Sequence, residues 1–456
     1  MEGLEISIVP FSYVLEKSDI CRFDSFFYSK NFLYEENLIE KHSNKSLKEL
    51  NAKLLSFGAY SLNNLVEYKN TGIPFIRGVN MKNGILDFSD VIYIDDFAHK
   101  LLWKSEVNPE MILLSMSGTI GDVAIAMPQY KYPMNSNQDI AKIDLRNCNI
   151  NPYFVYAYLC SQYGQNFLKR EARGSVQQHV FLSQIENLKI PIFSDTFQSK
   201  IESMVKSAHA KLEESKSLYS QAEDLLLGEL GLKDWQPKNT LHTTKKFSDF
   251  AQSGRLDAEY YQPKYDEIEK ELSKKNTLEI SKIGQICDKN FSPIDNVEYK
   301  YIELADIGAY GEITGCTMAI GSELPTRARR IVRKGDVLIS SIEGSLQSCA
   351  IVPKEFDNAL CSTGFYVMTP NKINAETLLI LLKSTVIQLL LKKGCSGTIL
   401  TNISKDEFLK IKLPILPEQI QKKIASLIQQ SFEYKAQSKQ LLEDAKRMVE
   451  EEIEKN

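Results

Sequence analysis

Two glycine-containing loops combine residue types that proteins use to bind nucleic acid. The first loop covers residues 174–179 (GSVQQH) and the second covers residues 397–402 (GTILTN). Glycine lets the backbone approach a phosphate, hydroxyls and cations bind phosphate oxygens, and glutamine or asparagine can pair with an adenine edge. A glycine helix C-cap is the alternative interpretation of each loop. The predicted DNA contacts, including the cations that precede each loop, are Lys169, Arg170, Arg173, Gly174, Ser175, Gln177, Gln178, His179, Lys392, Lys393, Gly397, Thr398, Thr401 and Asn402.

A third basic cluster lies between these loops. It contains Arg327, Arg329 and Arg330, which are candidates for reading DNA sequence, although a solvated strand edge explains them nearly as well. The formal net charge of the chain is −4, which excludes a protein that coats DNA uniformly. It does not exclude DNA binding, because the position of the cations decides that property.

Catalytic motifs are absent from the sequence. The segment 151–154 (NPYF) resembles an adenine methyltransferase motif only superficially, and an asparagine that caps a helix explains it better. No phosphate-binding loop of the form G-x-x-x-x-G-K-[ST] occurs, and the five histidines are far apart. We therefore predict a protein without catalytic residues that binds no metal and no cofactor.

The eight cysteines are scattered and form no C-x-x-C pair, which is typical of reduced structural thiols in a cytosol. The most apolar stretch, 378–391, is interrupted by polar residues and is shorter than the ~20 residues of a membrane span. The N-terminus lacks the pattern of a secretory signal. These features predict a cytoplasmic protein with no membrane contact.

An internal repeat places both loops in equivalent positions. When the sequence is shifted by 223 residues, the segment 151–201 aligns with 374–424 without a gap. Matched identities include Asn151 with Asn374 and Gln198 with Gln421. Upstream, the segment 113–125 resembles 338–351, and between these anchors the two halves diverge. Similar frames with different interiors are expected of two units that read different targets, although drift of a duplicated fold is the alternative.

The elements that must position these loops are mixed. Short β-rich runs at 73–79, 91–94, 300–304 and 336–340 predict strands, and helices are expected near 152–170 and 375–393. The prediction is a mixed α+β fold with two repeated α/β domains, separated by two long antiparallel helices that form a coiled coil.

The long helices carry apolar residues at alternating spacings of four and three, the signature of a coiled coil. Each helix covering only its own domain is the alternative. From Ile201 to Leu226 the first helix would span roughly 40 Å, close to the ~34–36 Å of one turn of B-DNA, which predicts a ruler for a divided site. The predicted coiled-coil positions are Ile201, Val205, Ala208, Leu212, Tyr219, Leu226, Ile424, Leu427, Tyr434, Leu441 and Met448.

With these features the chain resembles the specificity subunits of type I restriction–modification systems. The resemblance covers the whole chain and includes the pattern R-[FL]-D-x-x-[FY]-Y at Arg22 and Arg255, the glycine loops, and the run LPILPEQIQKKIASLI at 413–428. It implies target recognition domains at 1–194 and 236–415, and helical spacers at 195–235 and 416–456.

The resemblance also implies the partners. They are double-stranded DNA, two modification subunits that carry S-adenosylmethionine and methylate adenine, and restriction subunits that use ATP and Mg²⁺. The second loop has lost the glutamines of the first, so its contacts would differ, with Thr401 and Asn402 as candidates. Two other functions compete with a DNA-reading subunit: a coiled-coil adaptor of a defence complex that binds protein rather than DNA, and a methyltransferase fused to its own reader.

Overall fold

The computed structural model describes residues 5–17, 22–56, 66–174, 178–238, 240, 242–397 and 401–455. Ser175, Gln177 and Thr398, three of the predicted DNA contacts, lie outside these residues. The chain divides into two compact units, one formed by Met1–Lys211 with Gln437–Asn456 and the other by Leu212–Ala436. Each unit joins one globular domain to a segment of both long helices. We call the domain at 5–194 the first head and the domain at 231–417 the second head.

The elements of the first head and the helix that follows it occur in a fixed order. They are α1 (Phe11–Lys17), α2 (Lys30–Glu40), β1 (Asn44–Ser46), β2 (Lys53–Leu55), β3 (Ile73–Ile76), β4 (Met81–Lys82), β5 (Ile85–Leu86), β6 (Ile92–Ile94), α3 (Asp96–Leu101), β7 (Glu106–Val107), β8 (Ile112–Ser115), β9 (Val123–Ile125), β10 (Met134–Ser136), β11 (Ile140–Asp144), α4 (Pro152–Cys160), α5 (Gln162–Glu171), α6 (Leu182–Ile185), β12 (Lys189–Pro191) and α7 (Asp195–Leu230).

The second head and its helix repeat most of this order. Their elements are α8 (Phe247–Ser253), α9 (Pro263–Leu272), β13 (Thr277–Glu279), α10 (Ile280–Ile283), β14 (Gly284–Ile286), β15 (Glu298–Ile302), β16 (Thr317–Ile320), β17 (Ala328–Ile331), β18 (Val337–Ser340), β19 (Cys349–Ile351), β20 (Leu360–Ser362), β21 (Phe365–Pro370), α11 (Ala375–Lys383), α12 (Thr385–Gly394), β22 (Cys395–Ser396), β23 (Asn402–Ile403), α13 (Lys405–Lys410), β24 (Lys412–Pro414) and α14 (Glu418–Glu454).

The sheets of the two heads have the same topology. The first head has sheets of order β6-β3-β10-β7 and β2-β11-β8-β9, and the second has β16-β15-β20-β17 and β14-β21-β18-β19. In both heads the central pair, β3 with β10 or β15 with β20, is parallel while its neighbours are antiparallel. Every residue of β8, β11 and β18 is buried, as expected of strands that are covered on both faces. The predicted mixed α+β repeat is confirmed.

The residues that the repeat matched by identity make matched hydrogen bonds. The backbone N–H of Asn151 donates to Gln198 Oε1 at 2.9 Å, and that of Asn374 donates to Gln421 Oε1 at 3.1 Å. The side chain of Asn151 also accepts from the Tyr153 N–H at 2.9 Å at the start of α4. The segment 151–154 is therefore a helix cap, as predicted.

One prediction about the helices is wrong. The helices expected over 152–170 and 375–393 are each two helices, which separate at Ser161 and Ser384. Both serines have extended backbones, with ψ of 165° and 143°, so the following helix turns away from the first. Gly164 makes this possible in the first head, because a Cβ there would lie 2.4 Å from the Tyr158 carbonyl oxygen.

The two long helices lie side by side and antiparallel within the units. The first unit buries Ile201 and Val205 of α7 together with Leu442 and Val449 of α14. The second unit packs the C-terminal part of α7 against the N-terminal part of α14. The helices thus run in opposite directions, and the predicted helix pairing is confirmed. Among the described residues, none of the helices has the length and apolarity that crossing a bilayer requires.

The predicted heptad register is right in α7 and wrong by one residue in parts of α14. All six predicted positions of α7 are buried. In α14, Leu427, Tyr434, Leu441 and Met448 are only half-buried. The fully buried line of α14 runs through Ile424, Ile428, Ser431, Ser438, Leu442, Ala445, Val449 and Ile453. Leu427, Leu441 and Met448 are each followed by another apolar residue, so the spacing alone could not decide which of the two faces the partner helix.

Candidate nucleic-acid interface

Arg170, a predicted DNA contact, is buried inside the first head. Its Nη1 bonds Glu36 Oε2 at 2.9 Å, and its Nε donates to the Phe27 carbonyl at 2.8 Å. Burial alone would raise the pKa of Glu36, but hydrogen bonds from Lys17 and Tyr13 and the charge of Arg170 hold it below its usual value. Arg170 therefore fastens α5 to α2 and is removed from the set of DNA contacts.

Lys393 has the same role in the second head. Its ammonium lies 2.5 Å from Glu269 Oε1 and 5.1 Å from the centroid of the Tyr260 ring. Only 15% of its side chain is exposed. This cation also serves packing, so the prediction that it contacts DNA is corrected on the same physical ground.

The R-[FL]-D motif positions the ends of the helices from which the loops spring. Arg22 Nη1 donates to the Arg170 carbonyl at 3.0 Å, and Arg255 Nη2 donates to the Cys395 carbonyl at 2.8 Å. Arg22 Nε lies 2.8 Å from Asp24, and Arg255 Nε lies 2.7 Å from Asp257. The motif thus satisfies carbonyls at the end of a helix, which otherwise lack partners.

Both glycine loops are closed by short antiparallel pairings and are not helix C-caps. Arg173 and His179 exchange backbone hydrogen bonds of 2.9 and 2.7 Å, and Ser396 pairs with Asn402 in the second head. The helix C-caps lie earlier, at Ala172 and at Cys395.

The first residue of each tip is a glycine with positive φ, 114° at Gly174 and 133° at Gly397. Because residues with a side chain rarely adopt this backbone, glycine is required where the chain leaves the pairing.

In the first head three loops meet at one end of the sheets. His179 forms a β-bridge with Ser117, and the Val180 N–H donates to the Met116 carbonyl at 2.9 Å. The turn that follows β3 approaches the same loop, since a Cβ on Gly78 would lie 4.0 Å from Thr119 Oγ1. We call the loop 116–121, the tip 174–178 and the turn 77–80 the first face.

The second head has the same arrangement. The Glu343 N–H donates to the Thr401 carbonyl at 3.0 Å, and the Ile403 N–H donates to the Ser341 carbonyl at 2.9 Å. The turn 303–306 follows β15 as the turn 77–80 follows β3, and a Cβ on Gly364 would lie 3.7 Å from Leu304. The loop 341–345, the tip 397–401 and the turn 303–306 form the second face.

The predicted cations lie at different depths around these faces. Lys169 and Lys392 are exposed at the ends of α5 and α12, and Lys392 lies 3.9 Å from Glu343. Arg173 is half-buried at the base of the first tip, whereas Gln178 and Gly397 are exposed.

The basic cluster of the second head divides in the same way. The side chain of Arg327 is 59% exposed and bonds Glu303 at 2.8 Å. Arg329 donates to the Thr326 carbonyl at 2.8 Å. Arg330 is half-buried and donates to the Phe365 carbonyl at the start of β21.

Several buried polar atoms near the faces have no partner among the described residues. They are Arg77 Nε, Asn137 Oδ1 and Arg173 Nε in the first head, and Arg330 Nε in the second. Leaving a buried donor or acceptor without a partner costs about 1–3 kcal/mol, so such atoms concentrate where something else binds.

Sequence analysis missed Arg77, which bonds Asp90 through Nη2 at 3.2 Å. The available signal was a polar turn, Arg77-Gly78-Val79-Asn80, directly after a predicted strand.

The thiols are consistent with structural roles. All seven cysteines among the described residues are unpaired. Burial raises the pKa of Cys160 to about 12 and that of Cys361 to about 12, which makes both poor nucleophiles at neutral pH. In the described part of the chain, no three His, Cys, Asp or Glu side chains form a group that could hold a metal ion.

Comparison with known proteins identifies both heads. The family model described as the type I restriction modification DNA specificity domain matches twice, over residues 40–219 and 271–446. Together these segments cover well over half of the 456 residues, and each contains one glycine loop with its cations. No curated protein sequence matches the chain.

Three solved structures are similar over most of their length. A type I restriction–modification S subunit from M. genitalium is 16% identical, covers 90% of this chain and 94% of its own, and has a TM-score of 0.42. The HsdS subunit from Thermoanaerobacter tengcongensis is 13% identical, with coverage of 90% and 95% and a TM-score of 0.29. A chain from a structure of type I R-M complex assembly and conformational transition is 15% identical, with coverage of 87% and 97% and a TM-score of 0.28.

Proposed function

The chain belongs to the family of type I restriction–modification DNA specificity domains, and from that premise we propose that each head reads one half of a divided DNA site. The observation that carries this proposal is the duplication of the specificity domain, over 40–219 and 271–446. Each copy includes one of the two faces. The protein is a specificity subunit that contributes recognition, and the chemistry of the complex resides in its partners.

Contacts to phosphate would supply most of the affinity. Lys169 and Lys392 are exposed at equivalent positions beside the two tips, where a DNA backbone could reach them. Arg173 and the glycine backbones at Gly174 and Gly397 would add contacts close to the strand. Because such contacts release counterions, binding should weaken steeply with salt.

Contacts to base edges would supply the specificity. Gln178 and His179 in the first face, and Thr401 and Asn402 in the second, carry donors and acceptors of the right type. Ser175, Gln177 and Thr398 complete the candidate set, together with the Arg327 to Arg330 cluster.

The lengths of α7 and α14 would set the number of base pairs between the half-sites. A heptad pairing holds its register rigidly, so a change in helix length changes the distance between the ends of the helix by ~1.5 Å per residue. Inserting four residues into the segment 205–222, with a compensating insertion in α14, should lengthen the recognised spacer and leave both half-sites unchanged. The substitution Glu214→Ala, which alters an exposed position without changing length, serves as the matched control. An unchanged spacer after the insertion would rule out this role.

The partners would be double-stranded DNA, two modification subunits and restriction subunits. S-adenosylmethionine would bind the modification subunits, and ATP with Mg²⁺ would bind the restriction subunits, so this chain would hold no cofactor. The complex would act on chromosomal DNA in a bacterial or archaeal cytoplasm.

The test is to express the chain with its modification subunits in a host without other methylation and to sequence the methylated adenines. We expect one motif with two specified parts separated by a fixed number of unspecified base pairs. A second expectation is that affinity for duplex DNA falls by orders of magnitude between about 50 and 200 mM salt. A contiguous motif, or duplex binding that does not respond to salt, would contradict the proposal.

A further inference from the structure

The turns of the two faces are built alike but carry opposite charges at their first residue. The Arg77 N–H donates to Asn80 Oδ1 at 3.0 Å, and the Glu303 N–H donates to Asp306 Oδ2 at 2.7 Å. Each turn directly follows the strand at the parallel centre of its sheet, β3 or β15. Position 77 in the first head therefore corresponds to position 303 in the second, where arginine is replaced by glutamate.

In spite of this reversal, each face presents one arginine that is held by a carboxylate. Arg77 Nη2 bonds the Asp90 carbonyl at 2.7 Å and Asp90 Oδ2 at 3.2 Å. Arg327 Nη2 bonds Glu303 Oε1 at 2.8 Å, and its Nε donates to the Tyr301 hydroxyl at 3.2 Å. The first head places the arginine on the turn, whereas the second places the acid on the turn and the arginine on the segment before β17.

Both arginines lie at the end of the head where the three loops meet. The Arg327 carbonyl accepts from the Thr363 N–H at 2.9 Å, and Thr363 precedes Gly364, whose carbonyl accepts from the Ser341 N–H at 2.9 Å. The turn of Arg77 adjoins Thr119 through Gly78. The exposed fraction of the side chain is 31% for Arg77 and 59% for Arg327, so both are accessible to a ligand.

The chemistry of these pairs suits a base edge better than a phosphate. A carboxylate within hydrogen-bond distance cancels the local positive charge and would repel a phosphate group. The same carboxylate fixes the guanidinium, which lowers the entropy lost on binding and leaves other N–H groups free to point outward. Two parallel N–H donors match the O6 and N7 acceptors of guanine in the major groove.

We infer that each head recognises a guanine through one carboxylate-held arginine, Arg77 in the first half-site and Arg327 in the second. This inference rests on the proposed function and names the residues that determine specificity within it. Because the two arginines come from different elements, the guanines occupy different places relative to the tip in the two half-sites.

The test uses Arg77→Lys and Arg327→Lys, each in the full chain with its modification subunits, and sequencing of methylated adenines. Lysine keeps the charge but loses the two-pronged donor. We expect Arg77→Lys to relax one guanine position of one half-site, with preference for guanine falling about tenfold or more, while the other half-site is unchanged. Arg327→Lys should relax one guanine position in the opposite half-site.

Matched controls come from arginines at the far end of each head. Arg146 bonds Asp144 at 2.6 Å beyond β11, whose other end pairs with Ser115, and Arg333 lies beyond the far end of β17. Arg146→Lys and Arg333→Lys should leave the motif unchanged. If either control relaxes a base position as the face variants do, the assignment is overturned.

Other outcomes separate the possible failures. A motif that keeps every guanine in both face variants overturns the inference, and so does a uniform fall in methylation at all sites, which is the behaviour of a phosphate contact. Arg77→Gln is a second variant for the case in which the lysine variant is unstable, and it should shift the preference from guanine toward adenine. Absence of a divided motif with the wild-type chain is instead a failure of the proposed function.

Discussion

The two heads agree in the residues that bond inward and differ in the residues that face outward. Gln165 donates to the Leu159 carbonyl at 2.8 Å, and Gln388 donates to the Leu382 carbonyl at 2.7 Å. Arg22 and Arg255 both satisfy the carbonyls at the end of a helix. These side chains have partners within their own head, so a substitution would leave a buried group unsatisfied and the frame tolerates little change.

The differences are found on the faces and at one position in the core. Gln178 and Asn402 belong to tips with different sequences, and Arg77 corresponds to Glu303. In the core, Lys142 on β11 pairs with Leu113, and its counterpart Val367 on β21 pairs with Leu338. The comparison shows that a duplicated frame can present different chemistry without a change of fold.

The largest effect is expected from removing the buried cation that fastens α5 to α2. Arg170→Ala would leave Glu36 buried without this partner, at a cost of about 3–5 kcal/mol in the free energy of unfolding. Lys393→Ala should cost less, because the partner Glu269 is 53% exposed and can be solvated. Chemical denaturation of both variants measures the difference. Equal losses would show that the two pairs are equivalent after all.

The next effect concerns Lys142, which is fully buried and donates to Ser136 Oγ at 3.1 Å. Burial lowers its pKa to about 7, so between pH 7 and its unfolded value near 10.5 the unfolded chain holds more protons than the folded chain. The free energy of unfolding should therefore rise with pH across this window. Lys142→Val, which copies the second head, should stabilise the chain by roughly 1–3 kcal/mol at pH 7 and by less at pH 10.

The reverse substitution Val367→Lys is the matched control for that prediction. It should destabilise the second head and introduce the same rise of stability with pH. A Lys142→Val variant that is less stable than wild type at pH 7 would mean that the ammonium is well solvated or paired in the folded chain.

A smaller effect is expected from a serine pair between the long helices. In the second unit Ser431 Oγ donates to the Ser215 carbonyl at 2.8 Å, and Ser215 Oγ donates to the Ser431 carbonyl at 2.7 Å. The offset of 223 residues maps Ser431 onto Ala208 and Ser215 onto Ser438, so the first unit has only half of the pair. Ser438 Oγ is buried without a partner among the described residues.

Ser431→Ala should therefore cost about 1 kcal/mol in the free energy of unfolding, and Ala208→Ser should gain roughly 0.5 kcal/mol after the lower helix propensity of serine is included. Thermal unfolding of both variants checks the opposite signs. A loss of stability in Ala208→Ser would mean that the first unit is packed too closely for the added hydroxyl.

The smallest effect is expected from the exposed lysines of the two faces. Lys169→Gln and Lys392→Gln should each lower the slope of log affinity against log salt by about 0.9, without altering the recognised motif. Duplex binding at several salt concentrations measures the slope. A changed motif would instead make either lysine a base contact.

Much of the fold could be predicted from the sequence because its signals are local or repeated. Asn151 and Gln198 recur at the same offset, and the apolar spacing of Ile201, Val205 and Ala208 indicates a helix that packs on another. Where two apolar residues are adjacent, as at Leu427 and Ile428, the spacing does not determine the register.

The candidate site was less predictable because its parts are distant in the chain. Lys169 and Arg170 are neighbours in the sequence, but Glu36 lies 134 residues from Arg170 and determines that only Arg170 is buried. Likewise the bridge between His179 and Ser117 joins two loops through a pairing that no local pattern records. Arg77 was missed because a lone arginine on a turn has no distinguishing neighbour in the sequence.

The measurement that tests the central claim most directly is methylation sequencing with a chain whose heads have the same strands and faces. Residues 284–370 of the second head would be replaced by residues 53–144 of the first, and the tip 397–402 by 174–179. If each head reads its own half-site, the second half of the motif should be replaced by another copy of the first, with the same spacer. A motif that keeps its original second half would contradict the assignment of one half-site to each head.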